Sequence, residues 1–154
     1  MALVIHPTVK HVAPIYEKEV ILENTKTILL GNKEACRKGE YDSIISFIDP
    51  DDIFEQVQEN HIIFRIYDHS TSPIETIFPE FLTILKKSKG RILVHCGEGI
   101  SRSPSFLLGY LIIEKNMSFE SALETLQTIR PTIKPNRGFT KFLKRLESGK
   151  VGQI

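Results

Sequence analysis

Residues 91–115 constrain the fold more than any other stretch. They run from an apolar segment ending Leu93-Val94-His95, through Cys96-Gly97-Glu98-Gly99-Ile100-Ser101-Arg102-Ser103, into residues 104–115, which are apolar almost all the way round. A helix without a polar face has to be buried. A buried helix entered from a short apolar strand through a tight loop implies a sheet with helices packed on it. Pro104 suits the first turn of that helix, where its missing N–H costs nothing. The loop would sit at the carboxyl end of a strand and the amino end of a helix, where open α/β sheets bind ligands.

The remaining segments fit such a sheet. Residues 20–22 and 27–30 are short apolar runs around Glu23-Asn24-Thr25 and predict a hairpin. Gly31-Asn32 ends the second run, and a short helix is expected over 33–37. Residues 43–47, 62–66 and 91–95 predict further strands, and 51–58 a helical turn or two. Ile74, Ile77, Phe78, Phe81, Leu82 and Leu85 form one helical stripe. Pro79 interrupts it, so that helix is expected to begin near Thr76 or to kink. Phe119, Ala122, Leu123, Leu126 and Ile129 make another stripe, N-capped by Ser118 and stopped by Pro131. Phe139, Phe142, Leu143 and Leu146 complete a last amphipathic helix. The fold class expected is α/β: a central, mostly parallel, twisted sheet of about five strands flanked by helices on both faces.

A chain of 154 residues is long enough for one well-filled core and too short for two ordinary domains. With no repeat or linker, residues 1–154 read as a single domain with an irregular segment over 1–19 and a tail over 149–154. Net charge is +1, so no global electrostatic case exists for nucleic acid or a membrane surface. Seven acidic residues between 40 and 59 and seven basic ones between 130 and 150 read as solvated faces. A basic rim facing phosphorylated partners is the alternative for the second block. Cys36 and Cys96 lack metal-ligand or redox-motif spacing, so neither a metal site nor a disulfide framework is expected. No signal-peptide pattern opens the chain and no apolar run reaches the ~18–20 residues that span a bilayer. A reducing cytoplasmic setting, with the nucleus as a second location, is the expectation, and a monomer.

The loop's chemistry follows from its residue types. Successive N–H groups at a helix start, backed by the helix dipole, form an anion site. A cysteine at its centre would be a thiolate at neutral pH and hence a nucleophile. Gly97 and Gly99 let the backbone close around a phosphate, with Glu98, Ile100 and Ser101 completing the loop. Arg102 supplies a planar fork for two phosphate oxygens. Ser103 is placed to donate to the Cys96 sulfur. Ser101 reads as a loop cap, and His95 as a brace behind the loop. Cys36 reads as core. Attack on a phosphate monoester also needs a proton donor for the leaving oxygen. Asp68, just past an apolar strand and in a polar loop, would share the Cys96 edge of a parallel sheet. A plain turn Asp is the alternative there.

The stretch His95-Cys96-Gly97-Glu98-Gly99-Ile100-Ser101-Arg102-Ser103 resembles the phosphate loop of the dual-specificity branch of cysteine-dependent protein phosphatases, with its signature HCxxGxxRS. Leu30-Gly31-Asn32, Asp68 with its following loop and helix, and Arg130-Pro131 with Pro135-Asn136 and Gly138-Phe139 resemble further segments of that family. The likeness spans roughly residues 20–147. It implies Cys96 as nucleophile, Arg102 as phosphate clamp, Ser103 as the hydroxyl assisting the thiolate and Asp68 as general acid, with His95 and Asn136 supporting. It implies hydrolysis of phosphotyrosine and phosphoserine or phosphothreonine on proteins through a phosphocysteine, without cofactor or metal. A loop with Glu98 and no lysine argues against inositol lipids, and no counterpart of the pocket-deepening Asn-Arg-Tyr loop of strict tyrosine phosphatases is found. Arg130 and Arg137 are candidates for a second phosphate or an acidic substrate segment. The rival readings are a non-catalytic phosphopeptide-binding module and a phosphatase of RNA 5′-phosphates or phosphorylated glucan.

Overall fold

Strands and helices alternate as expected, in the order β1 (Glu17–Leu22), β2 (Lys26–Gly31), α1 (Lys33–Lys38), β3 (Ser43–Ile48), β4 (His61–Arg65), α2 (Ile74–Lys87), β5 (Gly90–His95), α3 (Arg102–Glu114), α4 (Phe119–Ile129) and α5 (Arg137–Gly152). The computed structural model describes residues 14–152. Residues 1–13 and 153–154, parts of the expected N-terminal segment and tail, lie outside the described residues.

The sheet order is β1-β2-β5-β3-β4. The β1–β2 hairpin is antiparallel, with a register shift between Glu19 and Ile21, and every other pairing is parallel. β5 lies at the centre, so its last residues face the carboxyl ends of β2 on one side and β3 on the other. Alternation along β3 divides the core in two. Ile45 and Phe47 join the larger cluster with α2, α3, α4 and α5, whereas Ile44 and Ile48 join a smaller one with Ala35 and Cys36 of α1. Phe47 and Phe106 stack at 4.0 Å between ring centroids, and Phe64, Phe78, Phe81 and Phe142 extend that aromatic cluster.

Local signals explain the helix ends. The Asn32 side-chain oxygen Oδ1 accepts from the Ala35 N–H at 3.1 Å and starts α1. Ser118 does the same for α4 through the Ser121 N–H. α3 is buried on nearly all sides, as its sequence requires. α2 begins at Ile74, earlier than expected, and runs through Pro79. Pro79 and Glu75 are both exposed, so the carbonyl that loses its partner at the proline is on the solvent side of the helix.

Three expectations are corrected. Residues 51–58 form no helix. The Arg65 guanidinium on β4 takes the carbonyls of Asp49, Asp52 and Phe54 at 3.1, 2.6 and 2.8 Å, which diverts those carbonyls from helical partners. Residues 17–19, expected to be irregular, are the start of β1, with Glu17 paired to Gly31. At the other end α5 continues to Gly152, into the residues expected as a tail.

Candidate active site

β5 ends at His95 and delivers Cys96 to the carboxyl edge of the sheet, beside Gly31 and Asn32 after β2, Asp49 after β3 and Ile66–Asp68 after β4. Cys96 is buried. Its Sγ accepts from the Gly99 N–H and from the Ser103 hydroxyl, both at 3.2 Å.

The loop is shaped by what holds its carbonyls. Gly97 O accepts from Lys33 N at 3.2 Å, Ile100 O from Lys134 N at 2.9 Å, and Ser101 O from the N–H and hydroxyl of Ser105 at 2.9 and 2.6 Å. In a trans peptide the N–H opposes the C=O. The N–H groups of Glu98, Ser101 and Arg102 are therefore turned the other way. Gly99 has φ +75°, and a Cβ there would lie 2.9 Å from Arg130 Nη1 and 3.0 Å from Gly31 O, so only glycine fits. α3 carries no acidic residue in its first turn, leaving its positive end to an anion from outside.

Arg102 opens α3 with its side chain mostly enclosed. Its Nη1 donates to Asp49 Oδ1 at 2.6 Å and to Ile66 O at 2.9 Å. One edge of the guanidinium is thereby anchored, which sets the plane of the fork. Asp68 lies on an exposed loop, and its Oδ1 accepts from the Ser101 hydroxyl at 2.7 Å and from Asn136 Nδ2 at 2.8 Å. Asn136 also donates its backbone N–H to Ser101 Oγ at 3.1 Å and accepts from the Phe139 N–H at 2.9 Å, so it joins the start of α5 to both. The second residue of α5, Gly138, lies against the backbone of Ser70, and any Cβ there would fall on the Ser70 carbonyl. A cleft of about 430 Å³ opens beside Arg102, lined by Asp49, Tyr67, Asp68, His69, Thr71 and Ser72.

His95 is fully buried behind the loop. Its Nδ1 lies 3.1 Å from Cys96 O and its Nε2 2.6 Å from Ser46 Oγ, and burial pushes the imidazole down to about 4. Among the described residues Cys36, His61 and His95 bring possible metal-donor atoms within 4.8 Å of one another. Ser46 Oγ lies 2.6 Å from Nε2 of each histidine, so the two imidazoles share it as a hydrogen-bond partner. Burial also raises the Cys36 thiol to about 11, which suits its place in the core.

The sequence-predicted residues Cys96, Gly97, Glu98, Gly99, Ile100, Ser101, Arg102 and Ser103 form one loop, and Asp68, Asn136 and His95 converge on it. Arg130 lies beside the loop, near Gly99. Its guanidinium stacks 3.7 Å above the Tyr16 ring, with Nη1 buried against the loop. Arg137 is exposed at the start of α5. Sequence reasoning missed Asp49 and the Ser46–His61 pair. Asp49 had the same signal as Asp68, a carboxylate directly after an apolar strand.

These features define an α/β protein with a Cys-x5-Arg loop between the central strand and a buried helix. The family model for the dual specificity phosphatase catalytic domain matches residues 39–149, and the chain belongs to that family. It is 38% identical over 92 residues to human dual specificity protein phosphatase 4, covering 60% of this chain and 22% of that protein. It is 37% identical over 94 residues to the dual specificity protein phosphatase PHS1 of Arabidopsis thaliana, covering 59% and 10%. With mouse dual specificity protein phosphatase 19 the identity is 34% over 88 residues, covering 55% and 40%. The matched regions are at most two-fifths of the length of these relatives. The fold is similar to the Yvh1 phosphatase domain from Chaetomium thermophilum (TM-score 0.70, 21% identity, 92% of this chain and 99% of that one). It is also similar to the human tyrosine phosphatase-like serine/threonine/tyrosine-interacting protein (TM-score 0.69, 23% identity, 80% and 93%).

Proposed function

We propose that this chain is a catalytic domain that hydrolyses phosphate monoesters on tyrosine and on serine or threonine of proteins, through a phosphocysteine. The observation that carries the reading is the Cys96 sulfur, held by the Gly99 N–H and the Ser103 hydroxyl in the loop that ends at Arg102. In the first step the Cys96 thiolate forms a bond to phosphorus as the ester P–O bond breaks, and Asp68 gives its proton to the leaving oxygen. In the second step water attacks phosphorus, Asp68 takes a proton from that water, and the S–P bond breaks. The Ser103 hydroxyl stabilises the departing thiolate. Loop N–H groups and the free edge of the Arg102 guanidinium hold the equatorial oxygens throughout. Ser101 and Asn136 hold Asp68 at the loop and so aim its second oxygen at the leaving group.

The assignment is tested with an aryl phosphate and a phosphopeptide. Cys96→Ser should lower kcat by at least about 10⁴-fold while vanadate still binds. Asp68→Asn should cost roughly 10²–10⁴-fold with a poor leaving group such as a seryl phosphate, less with an activated aryl ester, and should remove one limb of the pH profile. Ser103→Ala should let the phosphoenzyme accumulate in acid-quenched samples. Turnover retained by Cys96→Ser would overturn the nucleophile assignment.

A further inference from the structure

Behind the phosphate loop, four hydrogen bonds run in series through the smaller core. The Val57 N–H donates to His61 Nδ1 at 3.0 Å. His61 Nε2 and His95 Nε2 each lie 2.6 Å from Ser46 Oγ, and His95 Nδ1 lies 3.1 Å from Cys96 O. Ser46, His61 and His95 are buried, on β3, β4 and β5 respectively, and all point to the face covered by α1.

The two ends of this series are backbone groups whose polarity cannot change. The N–H of Val57 can only donate, so His61 Nδ1 must accept and its proton must be on Nε2. His61 Nε2–H then donates to Ser46 Oγ. At the other end the Cys96 carbonyl can only accept, so His95 carries its proton on Nδ1 and presents a lone pair at Nε2. The Ser46 hydroxyl, which accepts from His61, donates to that lone pair. With both imidazoles neutral, one arrangement of protons satisfies every bond. Burial keeps them so, pushing both below their ordinary range.

We infer that Ser46 and His61 are positioning residues for the active loop: they hold His95 in the Nδ1–H tautomer, which pins the Cys96 carbonyl. The inference rests on Cys96 being the nucleophile. The pinned carbonyl belongs to the peptide joining Cys96 to Gly97, the first of the loop. Its orientation sets the opposed Gly97 N–H, one of the donors available to a bound phosphate. In the other tautomer an Nδ1 lone pair would face the carbonyl oxygen, and that peptide would have to rotate. Ser46 and His61 touch no substrate and act only through His95.

The test combines ring-nitrogen NMR of His95 with steady-state kinetics on the full chain. In the unaltered protein His95 should show a protonated Nδ1 and an unprotonated Nε2. Ser46→Ala should move His95 toward a mixture of tautomers and lower kcat/KM about 10- to 100-fold, with phosphate inhibition weakened in parallel. If Ser46→Ala does not fold, His61→Phe and His61→Gln make the comparison. Phe removes the donor to Ser46 and should behave like Ser46→Ala, whereas the Gln amide restores a donor and should recover most of the tautomer signal and the rate. Folded variants with an unchanged His95 tautomer, or with a changed tautomer and an unchanged kcat/KM, would overturn the inference. Failure of the nucleophile assignment is seen separately, as turnover retained by Cys96→Ser.

Discussion

The two faces of the sheet are built to different rules. One is covered by α2, α3, α4 and α5 and holds an apolar cluster centred on Phe47, Phe81 and Phe106, each fully buried. The other is covered by the six residues of α1 and the irregular 49–60 segment, and its small cluster surrounds Ser46, His61 and His95. Burial of aromatic and aliphatic side chains supplies stability without regard to direction. Buried imidazoles and a hydroxyl supply direction at a cost in desolvation. The thick face holds the chain folded, and the thin face sets the orientation of one peptide at the active loop.

This division is breakable by experiment. The largest effect on stability is expected on the thick face, where Phe106→Ala removes a ring stacked on Phe47 and should cost about 3–5 kcal/mol in urea unfolding. Activity per folded molecule should stay near that of the parent chain. A loss of activity exceeding the loss of folded protein would show that the thick face also shapes the site.

Next in size is an acid effect confined to the thin face. An unfolded histidine titrates near 6.5, whereas folded His95 is pushed down to about 4 and His61 is also lowered. Above pH 6.5 both states are neutral and the stability is fully present. As pH falls through the window to about 4, the unfolded chain takes up the proton first, so stability is lost there, by roughly 3 kcal/mol from His95 alone. Urea unfolding at pH 7 and pH 4.5 measures it. Flat stability across that interval would mean the buried pair accepts protons without penalty.

The smallest expected effect is at Asn32, which caps α1 through the Ala35 N–H, accepts from the Tyr16 N–H at 3.1 Å and donates to Pro14 O at 2.7 Å. Asn32→Ala should cost about 1–2 kcal/mol. Thermal unfolding should show a fall of a few degrees. A null result would mean that α1 is held by its packing alone.

The thick face was legible in the sequence because it obeys periodicity. The stripe from Ile74 to Leu85, the all-round apolar stretch of α3 and the capped stripe after Ser118 each announced a helix and its buried side. The loop from Cys96 to Arg102 stood out because residue type and spacing suggest its chemistry, whereas Asp68 after its strand could equally have been a turn residue until the family resemblance singled it out. The thin face was much less so. Nothing in residues 51–58 signals that their carbonyls are claimed by Arg65, thirteen residues beyond Asp52 in the chain. The tie between Ser46 and His95 depends on the parallel register that sets them side by side, and His61 joins them from a third strand. The sequence offers Arg130 either a solvated face or a second phosphate and not the Tyr16 ring, because a stacking partner that distant leaves no local trace.

The backbone contact between Gly138 and Ser70 has a consequence for anyone who would redesign this protein. Substrate preference is commonly altered by exchanging a loop, and the segment carrying Asp68 is the obvious one to exchange. Here that segment is keyed to the last helix at a point where no side chain fits. A transplanted loop would have to reproduce the path of Ser70 or bring its own helix start with it. Loop and helix are one interchangeable part.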